Sequence, residues 1–250
     1  MRGDDRERSS RSGDDPAVLG KGPLELFDRY PTTLGIVIAC VFVFGFAVRG
    51  EPGLTPDPAT LVSLGAVTWP GAARQPWRLL AAAFLHAGPL HLVLNLLATW
   101  SVGRLLEVHL GSARLWIVWV SAAFGATMAA ATRIVLVGGP PSVSASGAAV
   151  GLLAVAFVLG RREPGRLGGL VLAATPWALG AGISAVAFPD GVDHAAHLGG
   201  AAAGLAVGWR LDLRPGKGDG PSWTVVALLL VAAAFASIAI GALSSGASRA

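Results

Sequence analysis

Seven apolar stretches divide the chain, at residues 32–48, 89–106, 115–132, 143–159, 167–188, 194–209 and 223–243. Each approaches the length that crosses a hydrocarbon layer of ~30 Å as a helix, the shorter ones with help from interfacial flanks. The first begins after Pro31 and stops at Arg49 with no small-residue cleavage pattern behind it, which predicts a retained signal anchor rather than a removed leader. Pro176 lies inside the fifth and predicts a kink there. The pattern predicts an all-α fold, a polytopic membrane helical bundle.

Three regions break the pattern. Residues 1–30 are polar and mixed in charge, and bury too little apolar area to offset the entropy of ordering, which predicts a disordered tail. Residues 50–84 form a long connection broken by Pro52, Pro56, Pro58, Pro70 and Pro76. Trp69, Trp77 and the Leu79-Leu80 pair predict that part of it lies in the membrane interface, where indole rings settle. Connections of this length are uncommon unless they have a function. Residues 212–250 read as a linker and a seventh transmembrane helix beyond a membrane domain at 31–211.

Composition agrees with a membrane location. Of 250 residues, 53% are hydrophobic and 14% charged, and the mean hydropathy is +0.62, too apolar for a soluble domain. The formal net charge of +4 does not imply a nucleic-acid partner, because the basic residues sit in short loops between apolar runs instead of forming one surface patch. They report topology. With the N-terminus inside, fourteen of the 19 basic residues fall on the inner side, as expected where cytoplasmic loops hold the excess of Lys and Arg. This predicts a plasma-membrane protein with an inner N-terminus and membrane lipids around it. The single cysteine, Cys40, lies in an apolar run, so no intramolecular disulfide is possible and it reads as a small buried hydrophobe.

That topology puts the first turns of the second, fourth and sixth helices at one depth near the outer face, and there the polar residues collect. The second helix opens on His86-Ala87-Gly88-Pro89-Leu90-His91 and continues to Asn95, with His91 and Asn95 four apart on one face. The fourth follows the loop Gly138-Gly139-Pro140-Pro141 and carries Ser146 at its mouth, among backbone N–H groups that a helix leaves unpaired. The sixth opens on Asp193-His194-Ala195-Ala196-His197. Polar and ionisable groups at such depth are costly and are retained for function. Gly147 with Gly151, and Gly200 with Gly204 and Gly208, form GxxxG patterns that let membrane helices approach backbone to backbone. Gly200 and Gly204 share a face with His197, so the sixth helix is expected to press its histidine-bearing side on the fourth.

Trp77-Arg78, His86, His91-xxx-Asn95, Glu107-xxx-Gly111, Ser144-Ala145-Ser146-Gly147 and Ala196-His197-xx-Gly200-xxx-Gly204, in this order, resemble the rhomboid family of intramembrane serine proteases. The resemblance covers about residues 70–211. It implies a six-helix core with a water-accessible site near the outer side, to which the seventh helix here is an addition. It implies Ser146 as nucleophile and His197 as general base, with His91 and Asn95 holding the oxyanion beside the Ser146 N–H. His86, Trp77, Arg78, Glu107, Gly147, Gly151, Gly200 and Gly204 take structural roles. The implied partners are transmembrane protein substrates; no cofactor or metal is implied, and nothing in the sequence fixes an oligomeric state. These residue types suit acyl transfer, since a serine hydroxyl needs a base within reach and an oxyanion needs N–H donors.

The sequence departs from the family at two places. Ser144 stands where a glycine is usual, so a left-handed backbone there would strain it, and Val150 stands where an aromatic residue usually packs against the base. Asp193, four before His197, has the helical spacing to orient the imidazole, although the resemblance implies a dyad without an acid. His194, His197, His86 and His91 lack the glutamate of a His-Glu-x-x-His metal site. A non-catalytic member of the same fold that binds transmembrane helices is the alternative, and a transporter is disfavoured by the lack of paired half-helices. Arg104 and Glu107, three apart, are expected to pair locally, and Trp116, Trp119 and Trp177 to pack or face lipid.

Overall fold

A computed structural model describes residues 23–69, 71–187 and 191–211, with isolated positions at 232, 236, 239 and 240. Ten α-helices form among the described residues: α1 (Pro23–Arg29), α2 (Pro31–Ala47), α3 (Pro58–Leu64), α4 (Gly71–Arg74), α5 (Arg78–Ala81), α6 (Pro89–Leu110), α7 (Ser112–Val137), α8 (Ala145–Arg162), α9 (Pro164–Ala187) and α10 (His194–Arg210). The first six predicted spans correspond to α2 and α6–α10. Apart from the isolated positions 232, 236, 239 and 240, the predicted seventh helix lies outside the described residues, as does most of the predicted tail, whose end forms α1.

Ser112–Val137, Ala145–Arg162 and Pro164–Ala187 are each long and apolar enough to cross a membrane alone, whereas Pro31–Ala47 is a shorter apolar helix. Pro89–Leu110 reaches that standard together with the segment Arg78–Phe84, from which it turns by 93°. The protein is an all-α integral membrane bundle. Its outer surface is correspondingly greasy: Phe42 on α2, Leu172 and Val186 on α9 and Leu198 on α10 are all more than two-thirds exposed, as suits a surface in an apolar surround.

Helix α8 is the centre, packed by α6, α7, α9 and α10. Its Leu152, Val155, Ala156 and Leu159 are at most 1% exposed. Trp119 of α7 is also buried, tilted against Phe84 with ring centroids 6.4 Å apart, and Cys40 is buried as expected. Pro176 sits inside the continuous helix α9. Helix α8 begins at Ala145 and not at Val143, with Ser144 as its N-cap at φ −109, ψ 13.

The connection at 50–84 folds into more than a loose interfacial segment. It contains α3, α4, α5 and two 3-10 turns, Pro52–Leu54 and Ala82–Phe84, and its residues Ala81 to Phe84 are buried under the bundle. Asp57 caps α3 by accepting from the Thr60 N–H at 3.1 Å. Gly65 ends that helix at φ +117, and a β-carbon there would stand 2.6 Å from the Trp77 ring. Arg78 holds the turn together: its Nε donates to Gln75 Oε1 at 2.6 Å, its Nη1 to the carbonyls of Val62 and Ala66, and its guanidinium lies 4.8 Å from the Trp77 ring centroid.

Glu107 ties the first helix to the bundle. Its carboxylate accepts from Thr32 N–H (2.7 Å), Thr33 N–H (2.9 Å), the Thr33 hydroxyl (2.7 Å) and the Ser112 hydroxyl (2.8 Å). The first two donors belong to the opening turn of α2, where a helix lacks internal acceptors and favours negative charge. The expected local pair with Arg104 is therefore replaced: Arg104 points outward while Glu107 is 4% exposed and faces α2. Gly111, at φ +81, then makes the tight break between α6 and α7.

Candidate active site

Ser146 occupies the first turn of α8, two residues after the N-cap Ser144. Its backbone N–H belongs to the group that a helix leaves without an internal acceptor. Two ties fix the segment before it. Val67 and Ser142 form an antiparallel bridge, with N–H to carbonyl distances of 2.8 and 3.0 Å, and the Ser144 N–H donates to the Ala82 carbonyl at 2.8 Å. The folded connection is thus the platform on which the loop to Ser146 rests. Ser144 adopts φ −109, so replacing the usual glycine puts no left-handed strain on the chain. The Ser142 and Ser144 hydroxyl oxygens are buried with no partner among the described residues.

His197 lies in the first turn of α10, half-buried, its N–H bonded to the Asp193 carbonyl at 3.0 Å. Asp193 caps this helix through the Ala196 N–H at 3.1 Å and pairs with Arg133 at 3.4 Å. Its two carboxylate oxygens are each engaged in one of those contacts.

The glycines set the two helices together. A β-carbon on Gly147 would lie 2.7 Å from the Ala196 carbonyl oxygen and one on Gly151 2.9 Å from that of Gly200, while one on Gly204 would collide with the Gly151 carbonyl. Gly147 follows Ser146 and Ala196 precedes His197, so the backbones beside the two residues touch. The face of α10 bearing Gly199 packs equally closely on Gly125 of α7.

Helix α6 brings the remaining polar groups. His91 is half-buried and close enough to His197 for the imidazoles to interact electrostatically. The Ala87 N–H donates to His91 Nδ1 at 3.3 Å, so in the neutral ring the proton sits on Nε2, which is then a donor. Asn95, one turn on, is buried, and its Nδ2 donor has no partner among the described residues. His86 is 1% exposed, with its ring 5.3 Å from that of His91 and its Nδ1 3.3 Å from the Phe84 carbonyl. That contact puts the His86 proton on Nδ1, which makes His86 a brace for the loop before α6. Val150 lies one turn after Ser146, half-buried. Arg133, which joins the loop before Ser146 to the cap of α10, was missed in the sequence because a lone arginine at a helix end carries no motif.

Comparison with known proteins finds one family. The model of the Rhomboid domain matches residues 73–213. The chain is 30% identical over 181 residues to the mitochondrial RHOMBOID-like protein 6 of Arabidopsis thaliana, which covers 68% of this chain and 56% of that protein. It is 29% identical over 208 residues to RHOMBOID-like protein 4 of the same plant, covering 74% and 51%. Against Rhomboid protease GluP of Bacillus subtilis (strain 168) it is 31% identical over 210 residues, covering 82% and 39%. The chain spans about half the length of the curated relatives it matches.

Proposed function

The chain belongs to the rhomboid family, and we propose that it is an intramembrane serine endopeptidase cutting transmembrane-anchored substrates near the outer face. The observation that carries this reading is the contact of Gly147 with Ala196, which sets the backbone of a helix-mouth serine beside that of a helix-mouth histidine. A bundle that only bound other helices would gain nothing from polar groups so placed, at the cost of burying them. Bacterial relatives bear protease names, among them GluP of Bacillus subtilis and GlpG of Serratia proteamaculans.

In the mechanism, His197 takes the hydroxyl proton as Ser146 Oγ attacks the scissile carbonyl, and returns it to the leaving amine. The oxyanion accepts from the Ser146 N–H, His91 Nε2–H and Asn95 Nδ2, donors fixed in place before the charge develops and shielded from bulk water. Water then releases the acyl group by the same steps in reverse order. The lysine and arginine distribution supports an inner N-terminus, and with it a plasma membrane setting in which the mouths of α6, α8 and α10 open outward. Incubating the purified full chain in proteoliposomes with a single-span reporter tests the reading: cleavage dependent on both Ser146 and His197 supports it, and an intact reporter contradicts it.

A further inference from the structure

Arg133 stands near the end of α7, and its guanidinium makes three contacts that join separate parts of the molecule. Nη1 donates to the Gly138 carbonyl at 3.0 Å, and Nη2 donates to the Pro140 carbonyl at 3.3 Å and to Asp193 Oδ2 at 3.4 Å. The first two acceptors lie in the loop that runs to Ser142, Ser144 and Ser146. The third is the cap of α10, whose other oxygen holds the Ala196 N–H next to His197. The Arg133 and Asp193 side chains are 24% and 15% exposed, so the pair is shielded but not cut off from solvent. Gly139, at φ +112, leaves space for the guanidinium; a β-carbon there would strike Nη1.

The same helix pair is tied at its opposite end by a second arginine. Arg162, in the last turn of α8, donates to the carbonyls of Gly208 (2.8 Å) and Leu211 (3.0 Å) at the end of α10, where a helix favours positive charge. Between the two ties run the contacts of Gly147, Gly151, Gly200 and Gly204. The inner end of the pair is therefore held directly, whereas at the outer end a side chain of α7 joins the loop before α8 to the cap of α10.

We propose that Arg133 is a positioning residue that sets Ser146 against His197 by clamping the loop before α8 to the Asp193 cap of α10. The inference rests on the Ser146–His197 dyad proposed above. One planar cation with several donors suits this task, and a lysine ammonium, which offers a single point of attachment, does not.

The test is the rate at which a fluorophosphonate modifies the full chain in detergent, measured over a range of probe concentrations. Ser146→Ala serves as the control for the dyad. Arg133→Gln, Arg133→Lys and Asp193→Asn are compared with wild type; asparagine caps a helix as well as aspartate does, so the last change removes the ion pair and spares the cap. Arg133→Gln and Asp193→Asn are expected to lower the maximal labelling rate about three- to tenfold with little change in half-saturating probe concentration. The double variant should match the single ones, as for two residues acting through one contact. Arg133→Lys should recover the rate only in part. If wild type is labelled through Ser146 and Arg133→Gln reacts at the wild-type rate, or if the two losses multiply in the double variant, the clamp is refuted while the dyad stands. If wild type is not labelled, or Ser146→Ala is labelled as well, the dyad itself falls and the clamp with it.

Discussion

Gly200 lies against Gly147 so closely that a β-carbon on Gly200 would collide with the Gly147 carbonyl oxygen and come within 2.7 Å of its carbonyl carbon. The obstruction is backbone and cannot rotate away. Helix α10 can therefore hold His197 at its present height beside Ser146 only while both positions lack side chains.

Gly200→Ala should accordingly lose cleavage of a reporter and lower thermal stability, overpacking of this kind costing about 1–3 kcal/mol. Gly180→Ala, on the open side of α9 with nothing within 4 Å of the added carbon, should leave cleavage unchanged and stability no lower, alanine being the better helix former by up to ~1 kcal/mol. Thermal unfolding in detergent and reporter cleavage, run side by side, check the pair.

Glu107 is predicted to matter for folding and not for chemistry. In Glu107→Gln two of the four donors must face an amide N–H₂; the hydroxyl of the two can turn to accept from it, but the backbone N–H of Thr32 or Thr33 cannot, and a buried donor left unpaired costs about 1–3 kcal/mol. The variant should unfold at lower temperature, and its folded fraction should react with a fluorophosphonate at the wild-type rate. A fall in the labelling rate of the folded fraction would move Glu107 from structure to catalysis.

The transmembrane segments and the close approach of α8 and α10 were legible in the sequence because both follow from local signals: the length of apolar runs, and glycines spaced four apart on one helix face. The contacts that join distant segments were not. Glu107 looked like a partner for Arg104 by spacing alone, yet its direction into the bundle gives it Thr32 and Thr33, 75 and 74 residues away. The connection at 50–84 showed prolines and tryptophans but no period, since its helices are four to seven residues long and are held by the backbone contacts of Arg78. For Ser144 the sequence raised a backbone strain that the observed φ of −109 removes. Ser146, His197, His91 and Asn95 were singled out by type and depth; that the Ala87 N–H sets the tautomer of His91 needed coordinates.

Asn95→Ala should lower turnover of a reporter roughly ten- to a thousandfold, the range for loss of one oxyanion donor. Fluorophosphonate labelling should persist in part, because Ser146 and His197 are untouched. Steady-state cleavage and labelling measured on one preparation check this; unchanged turnover would leave Asn95 a packing role only.

The substrate segment should lie in the outer third of its own helix. A transmembrane helix keeps its backbone bonds internal, so its scissile carbonyl is shielded until it unwinds, and helix-breaking residues lower that cost. Moving a Gly-Ala-Ser segment along a reporter helix and weighing the products tests this. Cuts should appear when the segment is near the outer end and fade when leucines replace it; cuts that follow the inner end would contradict the proposed topology.

The most direct measurement compares wild type with Ser146→Ala in proteoliposomes containing a single-span reporter, with helix content recorded by circular dichroism. Loss of one hydroxyl in the first turn of α8 is predicted to abolish cleavage and fluorophosphonate labelling together while leaving the helix content as it was. Cleavage by Ser146→Ala at the wild-type rate would contradict the assignment of Ser146 as the nucleophile.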